Sequence, residues 1–355
     1  MICKNAKKEL IEAFSILIQY VDAKKVKHAG FKKRQYNEII KLLTSYEDKI
    51  DSPEIVKQLL IKEAGMKNPK KTMMKINEYF ETGQISEVEE AKKDPKITAV
   101  RNFMRIYAIG PSKAVSLFDE YNISTIDELK SLVKTKSKVL NKKQMIGLKY
   151  HDDLEKRISR FEIGCFKKIF ESITKDIGIE MSINGSYRRG CETSGDIDVL
   201  IKTKNEWVTE IGKSLKLMVN KLSEMGIIKE KLAFGKKKFM GLVIIPGETR
   251  VVRHLDIIET TPQEYPFAKL YFTGSGGFNV KMRKHANSLG YSINEYCLTL
   301  KQKRGVKDKI ILDEKTIFDK IGKSCFETEK DIFKFLDYTY LEPNKRKGIT
   351  LSKIK

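Results

Sequence analysis

The sequence predicts an α+β protein of several domains, and three observations carry that prediction. Up to about residue 157, apolar residues recur at helical spacing between polar turns, whereas beyond it short apolar runs alternate with amphipathic stretches. At 355 residues the chain exceeds what a single hydrophobic core usually serves. One strand-like run, Asp196-Ile197-Asp198-Val199-Leu200-Ile201, opens with two acids spaced i, i+2. It follows a turn, Asn184-Gly185-Ser186-Tyr187-Arg188-Arg189-Gly190, that joins Gly-Ser to two arginines.

Near the start, Leu10, Phe14, Leu17, Ile18 and Val21 fall at helical spacing. Glu9 and Glu12 interrupt them, which argues for an amphipathic helix and against a secretory signal. Further helices are predicted over 31–46 and 72–80, the second ending at Thr82-Gly83. The polar stretch Glu89-Glu90-Ala91-Lys92-Lys93-Asp94-Pro95 reads as a linker closing a first domain, 1–95. A second helical domain, 96–157, contains Ile106-Tyr107-Ala108-Ile109-Gly110-Pro111, where an apolar helix end meets a Gly turn and Pro opens the next helix. Residues 158–262 mix both patterns: a helix bearing Phe161, Phe166, Ile169, Phe170 and Ile173, a strand over 197–201, a helix over 207–225, and strands over 239–245 and 251–258. Residues 263–355 read as helices and short strands, with a final helix over 330–340 and a basic tail, Lys345-Arg346-Lys347.

A net charge of +22 favours a polyanionic partner. Nucleic acid is preferred to membrane, because no apolar run approaches the length of a spanning helix. The five cysteines lack a Cys-x-x-Cys and the four histidines lack metal-ligand spacing. Both observations fit a reducing compartment and speak against structural zinc or a disulfide framework.

Residues two apart in a strand share a face, so Asp196 and Asp198 are expected to aim at one point. Convergent carboxylates suit Mg²⁺ ions that also hold phosphates, and turn N–H groups with arginines suit the phosphates themselves. Asp256 lies in another apolar run, Leu255-Asp256-Ile257-Ile258, where an unpaired carboxylate is costly to bury. On placement alone it reads equally as a solvent-exposed strand-end acid or as a third metal ligand. Three acids around two divalent ions make a nucleotidyl-transfer site, with Asp256 nearest the attacking oxygen.

These motifs resemble the family X DNA polymerases of the beta type. The resemblance rests on Gly185 to Gly190, Ser194-Gly195-Asp196-Ile197-Asp198 and Asp256. It extends to Leu270-Tyr271-Phe272-Thr273-Gly274-Ser275, Phe278-Asn279, Met282-Arg283 and Ile293-Asn294-Glu295-Tyr296, and upstream to Gln144-Met145-Ile146-Gly147-Leu148-Lys149-Tyr150 and Glu155-Lys156-Arg157. It covers nearly the whole chain beyond the first twenty or so residues. It implies a helical lyase domain and a helix-hairpin-helix domain, then a nucleotidyltransferase palm and a C-terminal α/β thumb for nucleotide selection. It assigns the metals to Asp196, Asp198 and Asp256. Arg157, Ser186, Arg189, Gly195, Asp196 and Gly274 go to the incoming dNTP, whose sugar packs on Tyr271 and Phe272. Asn279 and Arg283 reach the minor groove of the nascent pair and template.

By the same resemblance, Lys75 is the Schiff-base nucleophile of a 5′-deoxyribose-phosphate lyase. Lys71, four residues earlier on one helical face, is expected to ease its deprotonation. Lys32 and Lys71 bind the 5′-phosphate, Tyr36 is an active-site tyrosine and Phe31 stacks on a base. Met104, Ile106 and Ile109 offer carbonyls to Na⁺ or K⁺, and Gly110 lies in the DNA-contacting hairpin. The first hairpin departs from the family pattern, with Met66-Lys67-Asn68-Pro69 where Gly-x-Gly is usual. Gly276, Gly277 and Val280 replace an acidic, an apolar and a lysine residue, and His254 and Ile258 each replace an arginine. Nucleotide selection, and the opening and closing step, are therefore expected to differ from the family's best-known member.

The function implied is a monomeric, intracellular polymerase (nuclear, or cytoplasmic for a viral chain) that fills short gaps in base excision repair. It would use Mg²⁺, with Mn²⁺ as a substitute, on gapped or nicked DNA, and would carry lyase activity in the same chain. A template-independent 3′-end nucleotidyltransferase is the enzymatic alternative, and a non-catalytic DNA-binding scaffold the other. Three acids in metal-binding register are unexplained by a scaffold.

Overall fold

A computed structural model describes residues 6–24, 28–46, 48–63, 65–203, 211–245, 251–302 and 311–346. The chain divides into two compact units, Met1–His151 and Asp152–Lys355.

The first unit is helical: α1 (Lys7–Lys24), α2 (Ala29–Ser45), α3 (Pro53–Lys62), α4 (Lys70–Thr82), α5 (Ser86–Lys93), α6 (Pro95–Met104), α7 (Pro111–Tyr121), α8 (Ile126–Thr135) and α9 (Lys142–Lys149). A short α10 (His151–Leu154) spans the division. The apolar stripe of α1 is wholly internal. Leu10, Phe14, Leu17 and Val21 are buried among α2 to α5, while Ala23 and Tyr20 join the core of α6 to α9. The N-terminal helix is thus a shared wall of two adjoining hydrophobic cores. The predicted linker is instead folded. Residues 89–93 belong to α5, Ala91 is buried, and Asp94 caps α6 by accepting from Lys96 N at 2.9 Å with Pro95 at the first turn. Helical spacing at Val88 and Ala91 outweighed the polar composition. Capping boxes begin α8 (Thr125 with Glu128) and α9 (Asn141 with Gln144).

The second unit centres on a five-stranded mixed sheet. After β1 (Ile158–Ser159) and α11 (Arg160–Asp176) come β2 (Ile179–Ile183), α12 (Gly185–Arg188), β3 (Thr193–Ser194), β4 (Ile197–Thr203), α13 (Lys213–Glu224), β5 (Ile228–Phe234), β6 (Lys238–Val243) and β7 (Arg253–Thr260). The sheet order is β2-β4-β7-β6-β5, and β4 with β7 is its parallel pair. One face, with Ile197, Val199, Ile201, Leu255 and Ile257, packs on Phe166 and Phe170 of α11 and on Leu215, Met218 and Leu222 of α13. Phe161, expected on that apolar stripe, is 79% exposed. The predicted helix over 207–225 begins at Lys213 among the described residues, and 207–210 lie outside them.

The other face carries Leu200 and Ile258 against Tyr265 and Ala268 of α14 (Tyr265–Thr273). Then follow α15 (Gly276–Ser288), β8 (Tyr291–Ile293), β9 (Leu298–Leu300), α16 (Glu314–Ile321) and α17 (Glu329–Phe335), around a core that includes Phe278, Phe333 and Phe335. No helix among the described residues is long and apolar enough to cross a membrane.

Within the expected basic tail Arg346 is a structural anchor, because it is fully buried, and Lys347 lies outside the described residues. Its guanidinium lies 5.2 to 5.6 Å from the ring centres of Phe278, Phe333 and Tyr340, and it binds Glu329 at 2.7 Å. Arg188, from the Gly-Ser turn, grips the same carboxylate at 2.5 and 2.9 Å. Burial opposes the charge on Glu329, but the two arginines more than offset this and hold its carboxyl below the usual range. Removing one partner from such a network leaves charge buried without compensation. Glu329→Gln is therefore expected to destabilise the protein by about 3–5 kcal/mol in urea unfolding. A change under about 0.5 kcal/mol, the usual effect of a surface substitution, would contradict that reading.

Candidate active site

Register places the acids. In the parallel pair, Asp198 of β4 stands directly opposite Asp256 of β7, as Leu200 stands opposite Ile258. All four share the sheet face that α14 covers, and α14 packs over Leu200 and Ile258 rather than over the carboxylates. The turn before β4 closes on the same spot. Gly185 has φ +57°, and a Cβ there would collide with the Asp198 carboxylate. Glycine is thus required both for the backbone conformation and for the approach. Asn184 N donates to the Asp198 carbonyl at 2.8 Å, fixing turn to strand.

Asp196 lies one residue before β4, in a bend, and is exposed. Asp196 therefore sits in the bend that leads into β4, exposed to solvent, and its charge still acts on Asp198. Burial, and then the charges of Asp196 and Asp256, push the Asp198 carboxyl up to about 7, against the pull of Lys238 and Arg189. Asp256 Oδ2 is ion-paired with Lys238 Nζ at 2.7 Å, while its Oδ1 is buried without a hydrogen-bond partner and lies 3.6 Å from His254 Nδ1. Among the described residues, no three His, Cys, Asp or Glu side chains close into a metal-binding group. Three carboxylates repel one another without a cation between them, and Lys238 neutralises one. The donor set nonetheless suits a hard divalent ion: oxygens only, one of them buried and unpartnered, another on an acid that gives up its proton only near neutrality.

Other expected ligands lie in the same unit. Arg157 Nε donates to Thr193 Oγ1 at 3.2 Å and its NH2 to the Thr193 carbonyl at 2.8 Å, holding it beside Gly195. Arg189 NH1 donates to the Thr273 carbonyl at 2.6 Å, next to Gly274, while its buried Nε has no partner. Ser186 lies in the same turn, its carbonyl accepting from Cys191 N at 3.1 Å. Tyr271 and Phe272 meet edge to face at 5.2 Å. Asn279 Nδ2 donates to the Tyr271 carbonyl at 2.8 Å, and Arg283 stacks on the Tyr271 ring at 5.0 Å while facing Glu295 at 3.9 Å. Tyr271, Asn279 and Arg283 thus line one cavity with Phe267 and Met282.

In the helical unit, Lys75 on α4 forms an ion pair with Glu87 on α5. Tyr36 is buried, and burial followed by the Glu87 charge pushes its hydroxyl up to about 12. Phe31 is 64% exposed, Lys71 is exposed and Lys32 is half-buried. Between α6 and α7, the Ile106 carbonyl accepts from Ile109 N at 3.1 Å, and Gly110 caps α7. Gln144 Nε2 donates to the Ala108 carbonyl at 3.2 Å, and a Cβ at Gly147 would strike the Tyr107 carbonyl. The α9 motif therefore braces this hairpin from beneath.

Sequence reasoning missed Lys238 and Glu87, and it set both turn arginines on phosphates, whereas Arg188 is engaged by Thr273 and Glu329. Lys238 becomes visible only through the β6–β7 register, which sets it opposite Ile258, two residues along β7 from Asp256. Glu87 was more accessible: a tight turn at Gly83 folds α5 back on α4, so residues twelve apart can face each other. Because Asp198 ionises near 7 when folded but near 3.8 when unfolded, the folded state holds the proton more tightly. Without metal, stability should fall as pH rises from about 4 to about 7 and stay low above that. Calorimetry at pH 8 should find Asp198→Asn melting on the order of a few degrees above the wild type, with a flatter pH profile. An unchanged profile would refute the assignment.

Comparison with known proteins agrees with this geometry. Residues 157–262 match the DNA polymerase beta palm, 268–347 the DNA polymerase beta thumb, and 101–155 the fingers domain of DNA polymerase lambda. DNA polymerase lambda of Arabidopsis thaliana is 28% identical over 288 residues, covering 76% of this chain and 50% of that protein. DNA polymerase lambda of Rattus norvegicus is 28% identical over 285 residues, covering 77% and 46%. The type-X family protein pol4 of Schizosaccharomyces pombe is 28% identical over 275 residues, covering 76% and 52%. The chain spans about half the length of the curated relatives it matches. A mixed sheet that pairs two aspartates beneath a Gly-Ser turn, with palm, thumb and fingers matches in order, places this chain in the beta-like family X DNA polymerases.

Proposed function

We propose that this chain is a template-directed DNA polymerase that fills short gaps during base excision repair in a DNA-containing intracellular compartment. Its reaction is attack of a primer 3′-hydroxyl on the α-phosphate of a dNTP. The observation that carries this reading is the Asp198–Asp256 pairing beneath the Gly185–Ser186 turn. Asp196, Asp198 and Asp256 would hold the divalent ions, taken to be Mg²⁺. The chemistry such ions supply when bound is activation of the hydroxyl and neutralisation of the departing pyrophosphate.

The residues of this chain do the rest. Ser186, the turn N–H groups and Arg189 bind the triphosphate, while Arg157, held beside Gly195, approaches it from the β1–β3 side. The unpartnered Asp256 Oδ1 faces the nucleophile and receives or directs its proton. Lys238, which neutralises Asp256 in this structure, is the cation that a divalent ion held there would displace. Tyr271 and Phe272 exclude a 2′-hydroxyl. Asn279 and Arg283 read the minor-groove edge, which reports pair shape more than sequence. The carbonyls of Met104, Ile106 and Ile109 would hold a monovalent cation, Na⁺ or K⁺. In the helical unit, Lys75 acts as the amine nucleophile of a deoxyribose-phosphate lyase.

A one-nucleotide gap with Mg²⁺ and dNTPs tests this. The wild type should insert the templated nucleotide, and Asp256→Ala should lower the single-turnover rate roughly a hundredfold or more with gapped-DNA affinity retained. Equal extension of a single strand lacking template would favour a template-independent transferase. Full activity of Asp256→Ala would exclude both.

A further inference from the structure

The carboxylate in contact with Lys75 has no role in the reading so far. Glu87 begins α5 and Lys75 lies in the middle of α4, and the turn at Gly83 brings the two side chains together as an ion pair. Lys75 is 21% and Glu87 34% exposed, so both side chains are open to solvent.

The neighbouring groups are committed elsewhere. Glu78, one turn after Lys75, accepts from Ser86 N at 2.8 Å and from Ser86 Oγ, and those bonds hold its carboxyl below the usual range. Glu9 accepts from the Tyr79 hydroxyl. Tyr36 keeps its proton to about pH 12, which makes it a donor near Glu87 and disqualifies it as a base. Gln35 Nε2 reaches Thr72 Oγ1 at 3.4 Å, tying α2 to the Lys75 helix.

We propose that Glu87 is the general base of the lyase reaction, taking the C2′ proton of the sugar once Lys75 has captured it. The proposal rests on the lyase reading above. Lys75 Nζ attacks the C1′ aldehyde, and loss of water leaves an iminium. C2′ is then two bonds from Nζ, so a carboxylate already touching Nζ is within reach of its hydrogens. Glu87 removes one of them, the C–H pair becomes the C1′=C2′ bond, and the iminium nitrogen is neutralised as an enamine. That pair then moves on to form C2′=C3′ and restore the iminium as the C3′–O bond breaks. The leaving oxygen departs as the 5′-phosphate of the downstream strand. Water hydrolyses the unsaturated iminium and frees Lys75, while the proton on Glu87 returns to solvent.

The test uses the full chain, a gapped duplex ending in 5′-deoxyribose phosphate, and Glu87→Gln, Glu87→Asp and Lys75→Ala. Borohydride trapping reports the Schiff base, and release of the 5′-phosphorylated strand reports elimination. Melting curves matching the wild type establish that the variants fold. Glu87→Gln should trap at least as much adduct as the wild type yet eliminate roughly tenfold or more slowly. Deuterium at C2′ should slow it further, and Glu87→Asp should recover part of the rate. Elimination at the wild-type rate in Glu87→Gln would overturn the proposal. So would a parallel loss of trapping and elimination, which would mean Glu87 only positions the amine. Absence of trapping in the wild type, or trapping that survives Lys75→Ala, would instead defeat the lyase reading and the proposal with it.

Discussion

The parallel pairing of β4 with β7 is the constraint on which the rest depends. In it Asp198 and Asp256 become direct neighbours on one sheet face, while the alternate residues Ile197, Val199, Leu255 and Ile257 anchor both strands in the core. Because side chains alternate, a slip of one residue would bury the carboxylates and expose the isoleucines. The hydrophobic face therefore enforces the position of the acids. Burial and then the neighbouring carboxylate charges raise Asp198, and that repulsion is what a divalent cation would relieve.

A second network ties this site to the C-terminal elements of the same unit. Arg188 and Arg189 are adjacent but point to different tasks. Arg188 reaches Thr273 and the buried Glu329–Arg346 pair, whereas Arg189 holds the Thr273 carbonyl beside Gly274. Ser275, the cap of α15, donates its hydroxyl to the Arg346 carbonyl at 2.9 Å. The phosphate turn, the α14–α15 junction and the C-terminal segment are thus joined by charge-assisted bonds. A nucleotide that engages Arg189 must compete with, or adjust, one of them.

Much of the site was readable in the sequence because it is encoded by local pattern. The Gly-Ser turn, the Asp-x-Asp run and the apolar alternation around Asp256 are contiguous, and each has a local physical reason. What escaped was set by register and tertiary contact. β2 and β5 were not among the predicted strands, and Lys238 meets Asp256 only through β6–β7 pairing. Arg346 looked like one charge of a basic tail, yet three aromatic rings and Glu329 enclose it. Residues 89–95 were judged by polarity, although Val88 and Ala91 already carried helical spacing. The N-terminal helix, predicted only as amphipathic, is a wall of two cores.

The most direct test counts ions. Calorimetric titration of Mg²⁺ into the protein held on a dideoxy-terminated one-nucleotide gap with matched dNTP should register two binding events for the wild type. Replacing Asp196, Asp198 or Asp256 singly with Asn should each remove at least one of them. If all three variants bound two ions as tightly as the wild type, the carboxylates gathered by β4 and β7 would not be the metal ligands, and the mechanism built on them would be wrong.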